Sequence, residues 1–341
     1  MSHTLRYALS FGAPMAAAAL LTPLAARLAL RLGIMDHPKE GRFHERSTPY
    51  LGGLAVAAGL VLTAWLSAGA EGELLTILLA GLALAGLGFV DDHRTVRPGT
   101  KFIVEAGAAL ALWTVGVRAG LFGVEMLDAL LTIFWVVAIT NAVNMLDNMD
   151  GLAAGVATVS AATFALIAAS VGDFLVASFA LAIAGALVGF LFHNFPPARI
   201  FLGDGGTLML GFLLAALGLK LDLVGQGGLI RSAIPVLVLG VFIFDMALVT
   251  LARRVGGRPL FRGGTDHSSH RLVTWGAPPS WVAGAAYCIQ MGLSALAISL
   301  TGAASEFALG LVLAVGMGAV AALVMVLRLP EPSRIEVEAS R

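Results

Sequence analysis

Long runs of apolar residues alternate with short polar segments along the whole chain. A membrane-crossing helix needs about 20 mostly apolar residues to traverse a hydrocarbon core of about 30 Å. The pattern therefore predicts an all-α, polytopic membrane protein with ten or eleven such helices and no soluble domain, so that residues 1–341 form a single membrane domain. The predicted spans lie near 10–32, 51–69, 74–90, 102–117, 124–142, 151–170, 175–193, 205–221, 231–251, 281–300 and 306–327.

Composition supports the membrane assignment. The chain is 58% hydrophobic and 12% charged, and its mean hydropathy is +0.91. A soluble domain carries about 25% charged residues, so this chain has too few to coat a water-facing surface. Its net charge of zero excludes a strongly basic nucleic-acid binder, and its one cysteine, Cys288, excludes an internal disulfide.

The distribution of lysine and arginine predicts the orientation. Seventeen of the 21 basic residues fall on one face or at the helix ends beside it, and only Arg6, Arg118, Lys220 and Arg231 fall on the other. Because cytoplasmic loops are enriched in Lys and Arg, the basic face is predicted to be cytoplasmic, with the N-terminus outside and the C-terminus inside. The predicted cytoplasmic loops are 33–50, 91–101, 143–150, 194–204 and 252–280.

The reactive side chains are concentrated on that same face. Connections on the opposite face, such as 70–73 and 171–174, are short and offer little chemistry. A secondary transporter would be expected to place polar groups near the middle of the membrane, within repeated or broken helices. The pattern instead predicts a site that faces the cytoplasm, with a secondary transporter for a phosphorylated or nucleotide sugar as the alternative.

An aspartate pair, Asp91-Asp92, ends the third predicted span. Two carboxylates at a helix C-terminus repel each other and the negative end of the helix dipole, so a cation should be close by. That cation is either a divalent metal or the basic group formed by Arg94, Arg97 and Lys101. A solvated helix end balanced by those residues remains the alternative.

A second acidic motif comprises Asn144, Asp147 and Asp150, beside an apolar span. The spacing of three would place the three side chains on one face of a helical backbone. A charged group at the bilayer centre costs about 2.5–3.5 kcal/mol on insertion scales, which makes such residues functional candidates. An interfacial helix cap that ends at Gly151 is the alternative.

A glycine-rich segment opens the eighth predicted span and contains Gly203 and Asp204. It has no Gly-Lys-Ser/Thr sequence and is therefore not a Walker A loop. A helix N-terminus with close glycines suits a phosphate, and an aspartate there could hold Mg²⁺ against a diphosphate. A simple Asp N-cap is the alternative.

Two cationic loops supply the remaining candidates. Histidines at i and i+3 with flanking arginines suit an anionic ligand such as a diphosphate, although loops of this kind also serve topology alone. The candidates are His267, His270, Arg262 and Arg271 in 252–280, and Arg42 and His44 in 33–50. Asp245, within the ninth span, suits a structural or a catalytic role equally.

Taken together, the motifs resemble the polyprenyl-phosphate N-acetylhexosamine-1-phosphate transferase family, the MraY/WecA/TagO-like enzymes of glycosyltransferase family 4. The resemblance covers nearly the whole chain in order. The matching motifs are Asp36-x-Pro38…Arg42-x-His44, Asp91-Asp92…Lys101-Phe102, Asn144-x-x-Asp147-x-x-Asp150-Gly151 and Phe201-Leu202-Gly203-Asp204.

The resemblance implies roles for these positions. Asp204 would bind Mg²⁺, with Mn²⁺ as an alternative, and Asp91 would lie beside the metal and the lipid phosphate. Lys101 would contact phosphate, and the segment from Asn144 to Asp150 would belong to the nucleotide pocket. His267 and His270 would line the site, which gives Asp91, Asp92, Lys101, His267 and His270 as catalytic candidates.

The implied reaction transfers N-acetylhexosamine-1-phosphate from a UDP-sugar to undecaprenyl or another polyprenyl phosphate and releases UMP, at the bacterial cytoplasmic membrane. His267-Ser268-Ser269-His270 lacks the three consecutive histidines of MraY, which favours UDP-GlcNAc over the MurNAc-pentapeptide donor. Other UDP-N-acetylhexosamines stay open, as does a homodimer. Direct attack by the lipid phosphate is simpler than a covalent aspartyl intermediate, which the sequence leaves open.

Overall fold

The computed structural model describes residues 2–37, 47–66, 72–221, 228–260, 264–302 and 305–329. Two short antiparallel strands, β1 (Met35–Asp36) and β2 (Thr48–Pro49), are the only strands in these ranges. The helices are α1 His3–Leu32, α2 Gly52–Leu66, α3 Gly72–His93, α4 Pro98–Thr114, α5 Glu125–Leu146, α6 Leu152–Ser170, α7 Phe174–Asn194, α8 Gly203–Lys220, α9 Gly228–Val238, α10 Gly240–Val255, α11 Ser268–Thr274, α12 Pro279–Leu300 and α13 Ser305–Leu327. The prediction of an all-α protein is confirmed.

Seven helices in the described ranges are long and apolar enough to cross a membrane, namely α1, α3, α5, α6, α7, α12 and α13. The bent pair α9–α10 would make an eighth. The other predicted spans also coincide with helices, but α2 and α4 have only 15 and 17 residues. The chain is thus a multi-pass membrane protein, whereas the count of eleven crossings and the orientation of the termini stay predictions.

Residues 231–251, predicted as one span, lie in two helices, α9 and α10, which are joined at a bend. The chain bends by 80° between α9 and α10, at Leu239. Gln290 of α12 bonds the backbone on both sides of the break: its Nε2 donates to the carbonyl of Val238 at 2.9 Å, and its Oε1 accepts from the amide of Val241 at 3.2 Å. A polar side chain that replaces lost helical hydrogen bonds makes such a break possible in an apolar setting.

The centre of the bundle is formed by α6, α7 and α8, whose residues are mostly buried. α1 runs along α7, and α3 and α5 pack on α8. Small residues permit close approach: a Cβ at Gly185 would lie 2.1 Å from the carbonyl oxygen of Phe11, and one at Gly189 would lie 2.1 Å from that of Met15. Packing α3 and α5 on α8 brings the polar ends of the three helices together.

Candidate active site

Asp92, near the end of α3, caps the N-terminus of α8. Its Oδ1 accepts from the backbone N–H of Asp204 at 2.9 Å, and its Oδ2 accepts from that of Gly205 at 3.2 Å. The first N–H groups of a helix have no partner within it, and a carboxylate there is also favoured by the helix dipole. Asp92 therefore fixes the position of Asp204, which is not itself the N-cap.

Asp91, the preceding residue, directs its carboxylate to a different set of partners. Its Oδ1 accepts from the backbone N–H of Val96 at 2.5 Å, and its Oδ2 forms an ion pair with Lys101. Lys101, in the first turn of α4, also donates to Asp204 Oδ2 at 2.8 Å. One ammonium thus bridges two carboxylates from α3 and α8.

Asn144, in the last turn of α5, completes this group of side chains. Its Nδ2 donates to Asp204 Oδ1 at 2.9 Å and to Thr207 Oγ1 at 2.7 Å. Four helices therefore converge on Asp204. We call Asp91, Lys101, Asn144 and Asp204 the carboxylate cluster.

The electrostatics of the cluster keep its ion pair charged. Lys101 and Asp204 lie outside the seven candidate spans. Burial lowers the pKa of Lys101, but Asp204 and Asp91 raise it more, so that it lies above its usual value. Burial raises the pKa of Asp204, but hydrogen bonding with Asp91 and the charge of Lys101 lower it more, so that it lies below its usual value. Both groups are therefore ionised at neutral pH.

Glycines allow α3 and α8 to approach each other at this point. A Cβ at Gly88 would lie 2.3 Å from the carbonyl carbon and oxygen of Asp204. Gly203 has φ +77°, and a Cβ there would lie 2.7 Å from Asp92 Oδ2. Gly203, predicted to bind substrate, has a clear structural role in shaping the turn that presents Asp204.

The carboxylate cluster has donors suited to a hard divalent cation. Asp91 and Asp204 direct oxygens to one point, which Lys101 Nζ fills. Mg²⁺ typically binds one or two carboxylates and takes its other ligands from water and substrate phosphates. Within the described ranges, no group of three or more His, Cys, Asp or Glu side chains is arranged to hold a metal.

The prediction that Asn144, Asp147 and Asp150 share one helical face is wrong, because α5 ends at Leu146. Asp147 is the C-cap, and Asp150 follows in a turn where its Oδ2 accepts from the backbone N–H of Ala198 at 2.8 Å. Only Asn144 thus joins the cluster. Asp147 and Asp150 lie in the adjoining α5–α6 connection, where their role toward a nucleotide stays a prediction.

The histidine segment forms a second polar group, centred on Asp245 of α10. His267 Nδ1 lies 2.7 Å from Asp245 Oδ2, while Ser268 donates to Asp245 Oδ1 from its backbone N–H at 2.8 Å and its hydroxyl at 2.6 Å. A carboxylate acceptor assigns the proton to Nδ1 and thereby fixes the tautomer of the ring. His270 packs beside His267, with ring centroids 5.6 Å apart.

Arg271 has a structural role in the described ranges, although it was predicted to bind substrate. It is fully buried, and its guanidinium donates to the carbonyls of Asp266 at 3.3 Å and Leu329 at 3.1 Å. The arginine thereby ties α11 to the end of α13. The partner at Leu329 is 58 residues away in sequence, which explains why a local pattern did not indicate this role.

One hydrogen bond links the histidine segment to the α5–α6 connection. Ser269 Oγ donates to Asn148 Oδ1 at 2.6 Å. Asn148 lies just beyond the end of α5, four residues after Asn144, so the two polar groups lie on the same side of the bundle. The predicted candidates Arg42, His44 and Arg262 lie outside the described residues.

Sequence reasoning missed two polar residues next to the cluster, Glu105 and Asn141. Asn141 Nδ2 donates to Glu105 Oε2 at 2.6 Å. Each lies one helical turn from a cluster residue, at i+4 from Lys101 and i−3 from Asn144. That spacing is the signal that could have indicated them, since such residues share a helix face.

Comparisons with known proteins identify the family of this chain. The family described as "Glycosyl transferase family 4" matches residues 74–222, which contain the whole carboxylate cluster. A probable undecaprenyl-phosphate N-acetylglucosaminyl 1-phosphate transferase of Bacillus subtilis is 34% identical over 268 residues, covering 75% of this chain and 74% of the relative. A decaprenyl-phosphate N-acetylglucosaminephosphotransferase of Mycobacterium tuberculosis is 33% identical over 287 residues, covering 73% and 71%.

A more distant relative is a phospho-N-acetylmuramoyl-pentapeptide-transferase of Oceanobacillus iheyensis, 29% identical over 287 residues that cover 75% of this chain and 85% of the relative. With two relatives above 30% identity over most of their length, the chain belongs to glycosyl transferase family 4. The resemblance inferred from the motifs is confirmed.

Proposed function

We propose that this protein transfers N-acetylglucosamine-1-phosphate from UDP-GlcNAc to a polyprenyl phosphate such as undecaprenyl phosphate, and releases UMP. The observation that carries the proposal is the convergence of Asp91, Lys101, Asn144 and Asp204 at one end of the bundle. The names of the relatives from Bacillus subtilis and Mycobacterium tuberculosis support the same donor sugar and the same class of lipid acceptor.

The cluster suits a reaction between two anions. A lipid phosphate and a UDP-sugar repel each other, so positive charge has to be supplied where they meet. Lys101 provides an ammonium group, which pairs with Asp91 and Asp204 at the polar end of the bundle in this structure. A phosphate oxygen of the lipid attacks the β-phosphorus of the donor, and the bond from that phosphorus to the oxygen of UMP breaks.

Asp204 and Asp91 would hold Mg²⁺ in this proposal, and the bound cation would neutralise phosphate charge. Asp92 keeps Asp204 in place through the two backbone bonds at the start of α8. Asn144 orients the Asp204 carboxylate through Oδ1. The lipid phosphate is already largely ionised near pH 7, so the proposal needs no separate base.

The histidine segment would complete the donor side of the site. His267 is held in one tautomer by Asp245, with Nε2 as its remaining ring nitrogen. Ser269 donates a hydrogen bond to Asn148. Because this segment lacks three consecutive histidines, UDP-GlcNAc is favoured over a MurNAc-pentapeptide donor. The MurNAc-pentapeptide donor is the second candidate, because of the name of the relative from Oceanobacillus iheyensis. The site would face the cytoplasm at the bacterial inner membrane.

The test uses purified protein in detergent with undecaprenyl phosphate and Mg²⁺. Labelled UDP-GlcNAc, UDP-GalNAc and UDP-MurNAc-pentapeptide are offered separately and in competition. We expect label from UDP-GlcNAc in the organic phase with an equal amount of UMP. Transfer from another donor alone would change the substrate but keep the reaction, and no transfer from any donor by folded protein would contradict the proposal.

A further inference from the structure

Glu105 is a buried acidic residue next to the carboxylate cluster, and the proposed reaction does not use it. It is in α4, one helical turn beyond Lys101, and is only 1% exposed. Its Oε2 accepts from Asn141, which lies one turn before Asn144 in α5. The Glu105–Asn141 pair is therefore a second polar layer between the same two helices.

The other oxygen of this carboxylate is buried without a hydrogen-bond partner. Among the described residues, no donor reaches Glu105 Oε1. Leaving a buried carboxylate oxygen unpaired is costly, so this arrangement suggests a partner that arrives in another state of the site. Lys101 and Glu105 are four residues apart in α4, and residues at i and i+4 of a helix face each other.

Lys101 is the group that would have to move. Its ammonium bonds the Asp91 and Asp204 oxygens that suit a divalent cation. An ammonium and a divalent cation cannot occupy the same point between the two carboxylates, because their charges repel. When a cation binds, Lys101 needs another anionic partner.

We propose that Glu105 is the second partner of Lys101, a positioning residue that receives the ammonium when a divalent cation takes its place between Asp91 and Asp204. The unpaired Oε1 is the acceptor for the displaced ammonium. Lys101 then stays at the site, on the edge of α4, instead of being lost to solvent. This inference rests on the proposed function, which supplies the cation.

Cation binding tests the proposal without relying on turnover. Purified protein is titrated with Mn²⁺, and free Mn²⁺ is measured by electron paramagnetic resonance. The same titration of Asp204→Asn gives the binding at other sites, which is subtracted. Glu105→Gln keeps the size and an acceptor for Asn141 but removes the charge. We expect Mn²⁺ affinity to fall threefold or more, as for a direct interaction between neighbouring groups. Affinity equal to that of the wild type would overturn the proposal.

A double-mutant cycle separates relocation of Lys101 from a general field effect. Lys101→Met removes the competing ammonium, so it should bind Mn²⁺ more tightly than wild type. In that background Glu105→Gln should have little further effect, because no ammonium remains to be received. A Glu105→Gln effect of the same size in both backgrounds would contradict relocation. If Glu105→Gln does not fold, Lys101→Met alone still tests the proposal. Mn²⁺ binding by Lys101→Met that is equal to or weaker than that of wild type would contradict competition between the ammonium and the cation.

Glu125→Gln is the matched control, because Glu125 is exposed in the first turn of α5, the helix that carries Asn141. It should bind Mn²⁺ like wild type. The two proposals fail differently. If wild type does not transfer sugar phosphate, the proposed function is contradicted. If wild type transfers sugar phosphate but Glu105→Gln leaves the Mn²⁺ affinity unchanged, only this inference is contradicted.

Discussion

Asp91 and Asp92 are adjacent, yet their carboxylates have different partners. Asp91 bonds Lys101 and the backbone N–H of Val96, while Asp92 bonds the first amides of α8. The sequence motif predicted a cation close to the pair, with both residues as catalytic candidates. In the structure, Asp91 belongs to the carboxylate cluster, whereas Asp92 caps the helix that carries Asp204.

This division of roles predicts different effects of the same substitution. Asp92→Asn should lower stability by about 1–3 kcal/mol, since the amide nitrogen would face one of the two backbone N–H groups and leave that donor unpaired. Asp91→Asn should change stability less, because it keeps an acceptor for Val96 and Lys101 keeps its bond to Asp204. Thermal unfolding of the purified variants in one detergent checks this order. An Asp92→Asn melting temperature equal to that of wild type would contradict the capping role.

The Asp245–His267 pair allows a second prediction at this scale. If Asp245 acts by orienting His267, Asp245→Asn should reduce kcat about tenfold or more, as for other carboxylates that orient a functional histidine. The double variant Asp245→Asn/His267→Ala should then be no slower than His267→Ala alone. A further loss in the double variant would indicate that Asp245 acts independently of the ring.

At the scale of elements, the crossing of α3 and α8 determines the cluster. Gly88 permits the backbones to touch at Asp204, in the first turn of α8. Asp91 and Asp92 follow Gly88 within one turn, so a shift of α3 would move both carboxylates relative to Asp204. A glycine that looks like a helix weakness in the sequence is therefore a packing requirement.

Gly88→Ala and Gly86→Ala form a matched pair in α3. A Cβ at Gly88 would lie 2.3 Å from backbone atoms of Asp204, whereas one at Gly86 meets nothing within 4 Å. We expect Gly88→Ala to lower stability by about 1–3 kcal/mol and to reduce transfer, because the backbones must separate. Gly86→Ala should be neutral or stabilising, since alanine is the better helix former. Equal melting temperatures for the two variants would contradict the close crossing.

The break between α9 and α10 shows where sequence patterns fail for elements. The apolar run over 231–251 has the length and composition of one span. The bend depends on Gln290, which lies in α12 and bonds the chain on both sides of Leu239. A hydropathy window over neighbouring residues does not include such a distant partner. Hydropathy therefore predicts the helices but not the bend.

At the scale of the whole molecule, the sequence predicts that the candidate catalytic side chains lie at one end of the bundle. Asp91, Lys101, Asn144 and Asp204 were all proposed from motifs, and the structure brings them together. The sequence did not predict that Arg271 anchors α13, or that Glu105 and Asn141 form a layer beneath the cluster. Those contacts depend on helix packing, which a linear pattern does not contain.

The central claim is that the carboxylate cluster carries sugar-phosphate transfer, and Asp204 is the residue on which the cluster converges. The most direct measurement is UMP release from UDP-GlcNAc and undecaprenyl phosphate by wild type and Asp204→Asn, with Mg²⁺ and with EDTA, alongside the melting temperature of each protein. We predict release by wild type with Mg²⁺, and none with EDTA or from folded Asp204→Asn. Release by Asp204→Asn close to the wild-type rate would contradict the account.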